Sequence, residues 1–340
     1  MSEITKKLVV SASPHFRSKT TTTSIMLDVI IAMIPALVAS VILFGYRSLV
    51  LTVVSVVSCV VFEYLSRKIM KRHNTIGDLS AVVTGMLLAF NLPSTMPYWM
   101  VIIGAFTAIV IAKQFFGGIG NNFVNPALIG RIVLMASYPS QIGNFVAPFS
   151  HKGGVDAVTT ATPLAQLTSV YSAENIGTAV DSAGLPSLLD MFLGVKGGCL
   201  GEVCIIALLI GFVYLVIRKV ISPVIPLTYI GTVAIAMLIA GKGDLTFMLY
   251  QVMAGGLVLG AVFMATDYTT SPVSFKGKII YAIGCGILTS LIRIFGSLPE
   301  GVSFSIIIMN ILVPHIEHLT TARPFGEIKE KKSKKKEEAK

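Results

Sequence analysis

Ile25-Met-Leu-Asp-Val-Ile-Ile-Ala-Met-Ile-Pro-Ala-Leu-Val-Ala-Ser-Val-Ile-Leu-Phe44 is a run of twenty residues with one charge, Asp28. As a helix it reaches about 30 Å, the thickness of a bilayer's hydrocarbon core. Runs of this kind recur to the end of the chain. They fall near Leu49–Leu65, Leu79–Leu92, Trp99–Phe115, Pro126–Tyr138, Val203–Ile217, Val224–Ala240, Leu245–Thr266, Ile279–Phe295 and Phe304–His318. Helices close their own backbone hydrogen bonds, so they are the element that crosses lipid here. The sequence predicts an all-α integral membrane protein of about ten transmembrane helices.

Composition agrees. Hydrophobic residues make up 54% and charged residues 13%, against about 25% charged in soluble domains. The net charge of +10 is not gathered on a folded basic face, so no nucleic-acid partner is expected. The polar, basic residues before Ile25 predict no cleavable signal peptide. Cys59, Cys199, Cys204 and Cys285 lie in or beside apolar runs and form no CxxC pair. They read as small buried side chains rather than metal or cluster ligands. The five histidines do not point to haem.

Lys and Arg set the orientation. With the N-terminus in the cytoplasm, 21 of the 27 basic residues fall on that side, eight of them in the tail from Arg323 to Lys340. Both termini are then cytoplasmic and the long polar loop is outside. The expected organisation is a cytoplasmic segment 1–24, five spans in 25–138, an outer loop 139–198, five spans in 199–320 and a charged tail 321–340. The tail reads as a solvated charge run that attracts anionic membrane lipid.

The two sets of spans resemble each other. Gly85-Met-Leu-Leu-Ala-Phe-Asn91-Leu-Pro-Ser-Thr-Met-Pro97 and Gly260-Ala-Val-Phe-Met-Ala-Thr266-Asp267-Tyr-Thr-Thr-Ser-Pro272 are both apolar helices broken by a polar, Pro-containing turn. Repeats with an odd number of spans are inverted in the membrane, the plan of many transporters. A third irregular stretch, Phe116-Gly-Gly-Ile-Gly-Asn-Asn-Phe-Val-Asn125-Pro126, offers Asn125 as a cap and Pro126 as a first helical residue. Asp267, Asn125 and Asn91 lie in these breaks and are the ion-path candidates. Asp28 and Glu63 read as interfacial charges.

Within the outer loop, Thr159-Thr160-Ala161-Thr162-Pro163-Leu164 is on composition an ordinary polar stretch opening a short helix. No base stands beside the hydroxyls, so it is not a hydrolase site. The stretch resembles the flavin-attachment motif of the RnfD/NqrB family, which unites a membrane component of Rnf complexes with one of the sodium-pumping NADH:quinone reductase. The resemblance extends over Ser13-Pro14-His15, Phe116–Ala127, Thr266–Pro272, Gly296–Phe304 and Asn310. In that family the motif reads Ser/Thr-Gly-Ala-Thr, so Thr160 replaces its glycine.

The resemblance implies FMN held through its phosphate on Thr162, with Thr159, Thr160 and Ala161 around it. It also implies a separate flavin transferase acting outside the cytoplasm, and partner subunits of an Rnf-type ferredoxin:NAD⁺ oxidoreductase coupled to Na⁺ or H⁺ movement. A second, non-covalent flavin among the helices stays open. The chain is expected to relay electrons, without being catalytic alone. An alternative reading is a channel or secondary transporter built on the inverted repeat.

Overall fold

The structure, a computed structural model, describes residues 20–150, 160–171, 184–296 and 300–321. Among these residues it is helical throughout, with no strand. Thr21 starts helix α1 (Thr22–Phe44) by accepting a hydrogen bond from the Ser24 amide at 3.2 Å. Gly45, at φ 81°, ends it and turns directly into α2 (Tyr46–Ile69). On α1, Leu27, Ile31, Ile34, Val38 and Ile42 face outward while Ala32, Met33, Ala36 and Ser40 face inward. The apolar stripe is on the outside, the reverse of a soluble helix and the arrangement that lipid favours.

Helix α3 (Ser80–Phe90) has eleven residues and reaches only about 16 Å. Its continuation, Asn91 to Pro97, is irregular. Helix α4 (Tyr98–Phe106) continues as a π turn (Thr107–Gln114). Asn125 then caps α5 (Pro126–Ser137), its Oδ1 accepting from the Ala127 amide at 3.0 Å, with Pro126 as the first residue. The segment between the two sets of apolar helices contributes α6 (Pro163–Tyr171) and α7 (Leu188–Leu193). After it come α8 (Ile205–Ile217), α9 (Val224–Ala240), α10 (Leu245–Met253), α11 (Leu257–Met264, a π turn from Gly260), α12 (Phe275–Phe295) and α13 (Val302–Thr320).

Four helices (α1, α2, α12 and α13) are long and apolar enough to span a bilayer. The bent pair α10–α11 makes a fifth, and α3, α4, α5, α8 and α9 are shorter apolar helices. The ten expected spans thus correspond to four long helices, one bent pair and five shorter apolar helices, of which length and composition alone mark four or five as membrane-crossing. The uninterrupted span read across Leu245–Thr266 is corrected: Ala254-Gly255-Gly256 separates α10 from α11, and the two meet at 62°. A composition scan runs through this point because all three residues are apolar or neutral.

In the first half, α2 packs on α3 and α4, and α4 with its π turn packs on α5. In the second, α9 packs on α12 and α12 on α13. Helices α1 and α8 lie against each other across the halves. Lipid is as apolar as a leucine side chain, so close backbone approach and interhelical hydrogen bonds hold such helices together. At the α2–α3 crossing a Cβ on Gly85 would lie 2.7 Å from Val56 Cα, and Ser55 Oγ donates to the Gly85 carbonyl at 2.7 Å. Gly85→Val therefore forces two backbones apart and should lower stability by roughly 1–3 kcal/mol. The check is a thermal melt in detergent, read by thiol-dye labelling of the buried Cys59, Cys199 and Cys285. An unchanged melt would show that this crossing is not the tight one.

Candidate functional site

Two of the polar clusters in the helical body lie at the two ends of α3. At the Ser80 end, Glu63 of α2 is fully buried, against its reading as an interfacial charge. Lys113, on the π turn, donates to Glu63 Oε2 at 2.9 Å and to Ser80 Oγ at 2.6 Å. Gln114 and Thr75 donate to Glu63 Oε1 at 3.0 and 3.2 Å. The π turn presents Lys113 and Gln114 together to the same carboxylate, and such turns recur where function demands irregular helix.

A cavity of about 380 Å³ opens beside Lys113. Ser80, Lys113, Asn122, Asn125, Asp267 and Thr269 give it a polar wall, and Val29, Leu87 and Phe263 an apolar one. Asp267 is half-buried just beyond α11 and accepts from Thr269 Oγ1 at 3.2 Å and Thr270 Oγ1 at 3.4 Å. Burial raises its carboxyl above the usual range, and the threonine hydrogen bonds oppose that shift. Asn122 Nδ2 donates to Thr269 Oγ1 at 3.1 Å, and Asn125 Nδ2 to the Met264 carbonyl at 3.4 Å. The Asn310 amide fits with Nδ2 toward the Tyr281 hydroxyl (2.7 Å) and Thr270 carbonyl (3.2 Å), and with Oδ1 accepting from the Asn125 amide at 3.3 Å. The irregular ends of both halves thus close on one another. Two of the three ion-path candidates read from the sequence, Asn125 and Asp267, line this cavity.

Asn91 belongs instead to the other cluster. Its Oδ1 accepts from Arg131 Nη1 at 2.6 Å. Arg131 also forms an ion pair with Glu300, and its Nη2 lies 4.0 Å from Cys199 Sγ. The Cys199 amide donates to Glu202 Oε1 at 2.8 Å. Cys199, Glu202 and Glu300 offer ligand atoms within 4.8 Å of one another, but the Arg131 guanidinium already supplies the cation there. Arg293 donates to the carbonyls of Gln251 (2.5 Å) and Ala254 (3.1 Å), and Lys196 Nζ to that of Met253 (2.5 Å). These are the open carbonyls at the end of α10. Burial pushes the Lys196 ammonium down from 10.5 to about 8, with Glu202 opposing the shift.

Thr162 sits above this cluster. Its hydroxyl caps α6, accepting from the Ala165 amide at 3.3 Å, and is half-exposed. The Thr160 amide donates to the Phe145 carbonyl at 2.9 Å; its buried hydroxyl has no partner among the described residues and faces Gly197, beside Lys196. Ala161 is exposed, and Thr159 lies outside the described residues. Leu164 is buried, and a Cβ on Gly255 would meet Leu164 at 3.1 Å and Arg293 Nη2 at 3.3 Å.

The residues fit a phosphate ester. Thr162 Oγ1 is accessible, and it lies at the positive end of a helix dipole, which favours an anion. Sequence reasoning missed the Glu63–Lys113 pair and the Arg131, Lys196, Glu202, Arg293 and Glu300 cluster. Charges inside or bordering apolar runs were the available signal.

Short and broken apolar helices, with buried charges at the breaks and a loop threonine outside them, define a polytopic membrane protein of the kind that handles ions or electrons. The sequence pattern of the NQR2, RnfD, RnfE family matches residues 9–326. A relative from Acetobacterium woodii, the D component of a Na⁺-translocating ferredoxin:NAD⁺ oxidoreductase complex, is 46% identical over 96% of this chain and 98% of its own. The D component of a proton-translocating ferredoxin:NAD⁺ oxidoreductase complex from Clostridium ljungdahlii is 42% identical over 93% and 96%. That of an ion-translocating oxidoreductase complex from Halorhodospira halophila is 34% identical over 93% and 94%. The chain belongs to the NQR2, RnfD, RnfE family.

Removing one member of a buried ion pair strands the other charge, at a cost of about 3–5 kcal/mol. Lys113→Met should therefore destabilise the protein by that order. Adding Glu63→Gln should restore much of the loss. Detergent melts of the single and double variants test this; a double variant no more stable than Lys113→Met would refute the pairing.

Proposed function

We propose that the chain is the D-type component of an ion-translocating ferredoxin:NAD⁺ oxidoreductase complex, carrying FMN esterified to Thr162. The observation that carries this reading is the placement of the Thr162 hydroxyl, half-exposed at the cap of α6, in a chain of this family. The flavin supplies one- and two-electron redox chemistry when bound. Thr162 anchors its phosphate, α6 presents its N-terminus to that charge, and Leu164 seats the helix against the α10–α11 break. A flavin transferase outside the cytoplasm attaches the group, which agrees with the Lys/Arg bias that puts this loop outside and both termini inside. Electrons enter and leave through partner subunits, and their transfer is coupled to Na⁺ or H⁺ movement.

The two halves read as inverted repeats. In each, the second apolar element packs on the fourth and the fourth on the fifth, and the first elements, α1 and α8, meet each other. Each half also contains a π turn. The cavity lined by Lys113, Asn125 and Asp267 is both the candidate ion path and a place for a second, non-covalent flavin. Its polar and apolar walls suit an amphiphilic ring, and its volume lies in the range of ligand pockets.

The test is in-gel flavin fluorescence after denaturing electrophoresis of protein co-expressed with its flavin transferase. Wild type should give a fluorescent band and Thr162→Ala none. Acid precipitation of the same Thr162→Ala protein should release free flavin from the cavity; a colourless supernatant would remove the second flavin. A dark wild-type band beside a competent transferase would refute the covalent one. Solute flux by the isolated chain in liposomes would favour the transporter reading instead.

A further inference from the structure

The α2 terminus holds a charge that nothing in the described chain neutralises. Arg67 is 8% exposed, and its Nε is fully buried without a partner. Among the described residues no carboxylate lies within 4 Å of its guanidinium, and no acceptor takes its N–H groups. Glu63, one turn earlier, is already occupied by Lys113, Gln114 and Thr75. Guanidinium does not deprotonate in proteins, so burial cannot be relieved by losing the proton. A buried unpaired charge costs several kcal/mol. The Gln114 Oε1 beside Gly118 is also unpartnered but is neutral, so among the described residues no group balances the charge, and an anion would lower that cost.

The surroundings are shaped for one. Gly118, at φ +98°, lies against Arg67 Nη2 so closely that a Cβ there would overlap it. Bare backbone therefore lets the guanidinium lie flat along the Gly117-Gly118 turn. Arg72 approaches the same stretch, its exposed side chain donating from Nη1 to the Gln114 carbonyl at 3.2 Å. The same end of the bundle exposes apolar side chains, Ile69, Phe115 and Phe116 by 79%, 61% and 49%, alongside exposed Lys68 and Lys71. Two forked donors edged by exposed apolar side chains at the end of a spanning helix match a phosphate with acyl chains attached.

We propose that Arg67 and Arg72, over the Gly117-Gly118 turn, form a binding site for the phosphate of an anionic phospholipid, with Ile69, Phe115 and Phe116 receiving its acyl chains. The site is separate from Thr162 and does not depend on the flavin reading. It gives the α2–α4 end of the bundle a lipid that completes its charge balance.

The test uses the assembled membrane complex, partly delipidated in neutral detergent and examined by native mass spectrometry. Dioleoyl phosphatidylglycerol, dioleoyl phosphatidylcholine and inorganic phosphate are added in separate arms. Phosphatidylglycerol should be retained by wild type and held about tenfold or more weakly by Arg67→Gln, the loss expected for a charge-assisted pair. Phosphatidylcholine retention should not differ. Gly118→Ala keeps both arginines but displaces the guanidinium, so it too should weaken phosphatidylglycerol. Intact assembly of each variant is read in the same spectrum. Arg67-dependent binding of phosphate that phosphatidylglycerol cannot displace would move the source to free phosphate and overturn the lipid. Equal phosphatidylglycerol retention by wild type and both variants would overturn the site. So would a carboxylate of another chain paired with Arg67 in the assembled complex.

Discussion

Every backbone group freed within the membrane must find a partner in the protein, because hydrocarbon offers none. That constraint organises this structure. Helix α3 stops after eleven residues, and the Phe90 and Leu92 carbonyls accept from the amides of Gly201 and Leu200 at 2.9 and 3.1 Å. Helix α10 stops at Met253, and its last carbonyls accept from Lys196 and Arg293. In both cases the 194–204 segment supplies donors. The two broken elements are therefore held by the same stretch of chain.

Charges follow from the breaks. An Arg or Lys that caps open carbonyls at depth needs a carboxylate nearby, and Glu202 and Glu300 are placed accordingly. The opposite cluster follows the same logic with different parts: Glu63 is satisfied by Lys113, Gln114 and Thr75 because the π turn aims two consecutive side chains at it. Buried pairs of this kind add little net stability but penalise strongly any arrangement that separates them. They act here as registers, fixing how α2, α3 and the π turn sit together.

This is also why the sequence was legible in some places and opaque in others. The apolar runs made the membrane class legible, since it depends on local composition. Asn125 and Pro126 were readable as a cap and first turn because capping is local chemistry. Asn125 and Asp267, both placed in polar breaks by the sequence, line one cavity. Asn91, grouped with them on the same pattern, pairs with Arg131, and its Nδ2 reaches Met264 Sδ at 3.7 Å, the residue whose carbonyl Asn125 also contacts. The α10–α11 break at Gly255-Gly256 escaped because its cause is nonlocal: the chain can open there only because Lys196 and Arg293 arrive from elsewhere. Lys113 lies inside the apolar run Trp99–Phe115, and nothing in its neighbours reveals that Glu63, fifty residues earlier, will pair with it.

The position of Thr162 gains its meaning from the cluster beneath it. Three cations, Arg131, Lys196 and Arg293, and two carboxylates, Glu202 and Glu300, leave one net positive charge under α6 when all five are ionised. Most of that charge is bound to carbonyls, so it is fixed in place. Leu164 seats α6 on the Gly255 break where Arg293 lies, and Thr160 packs on Gly197 beside Lys196. A negatively charged group carried by Thr162 would thus stand above a preorganised positive field while the α6 dipole acts on it from the other side. The groups that close the broken helix are the same ones that set the electrostatics beneath the Thr162 loop, so neither can be altered without the other.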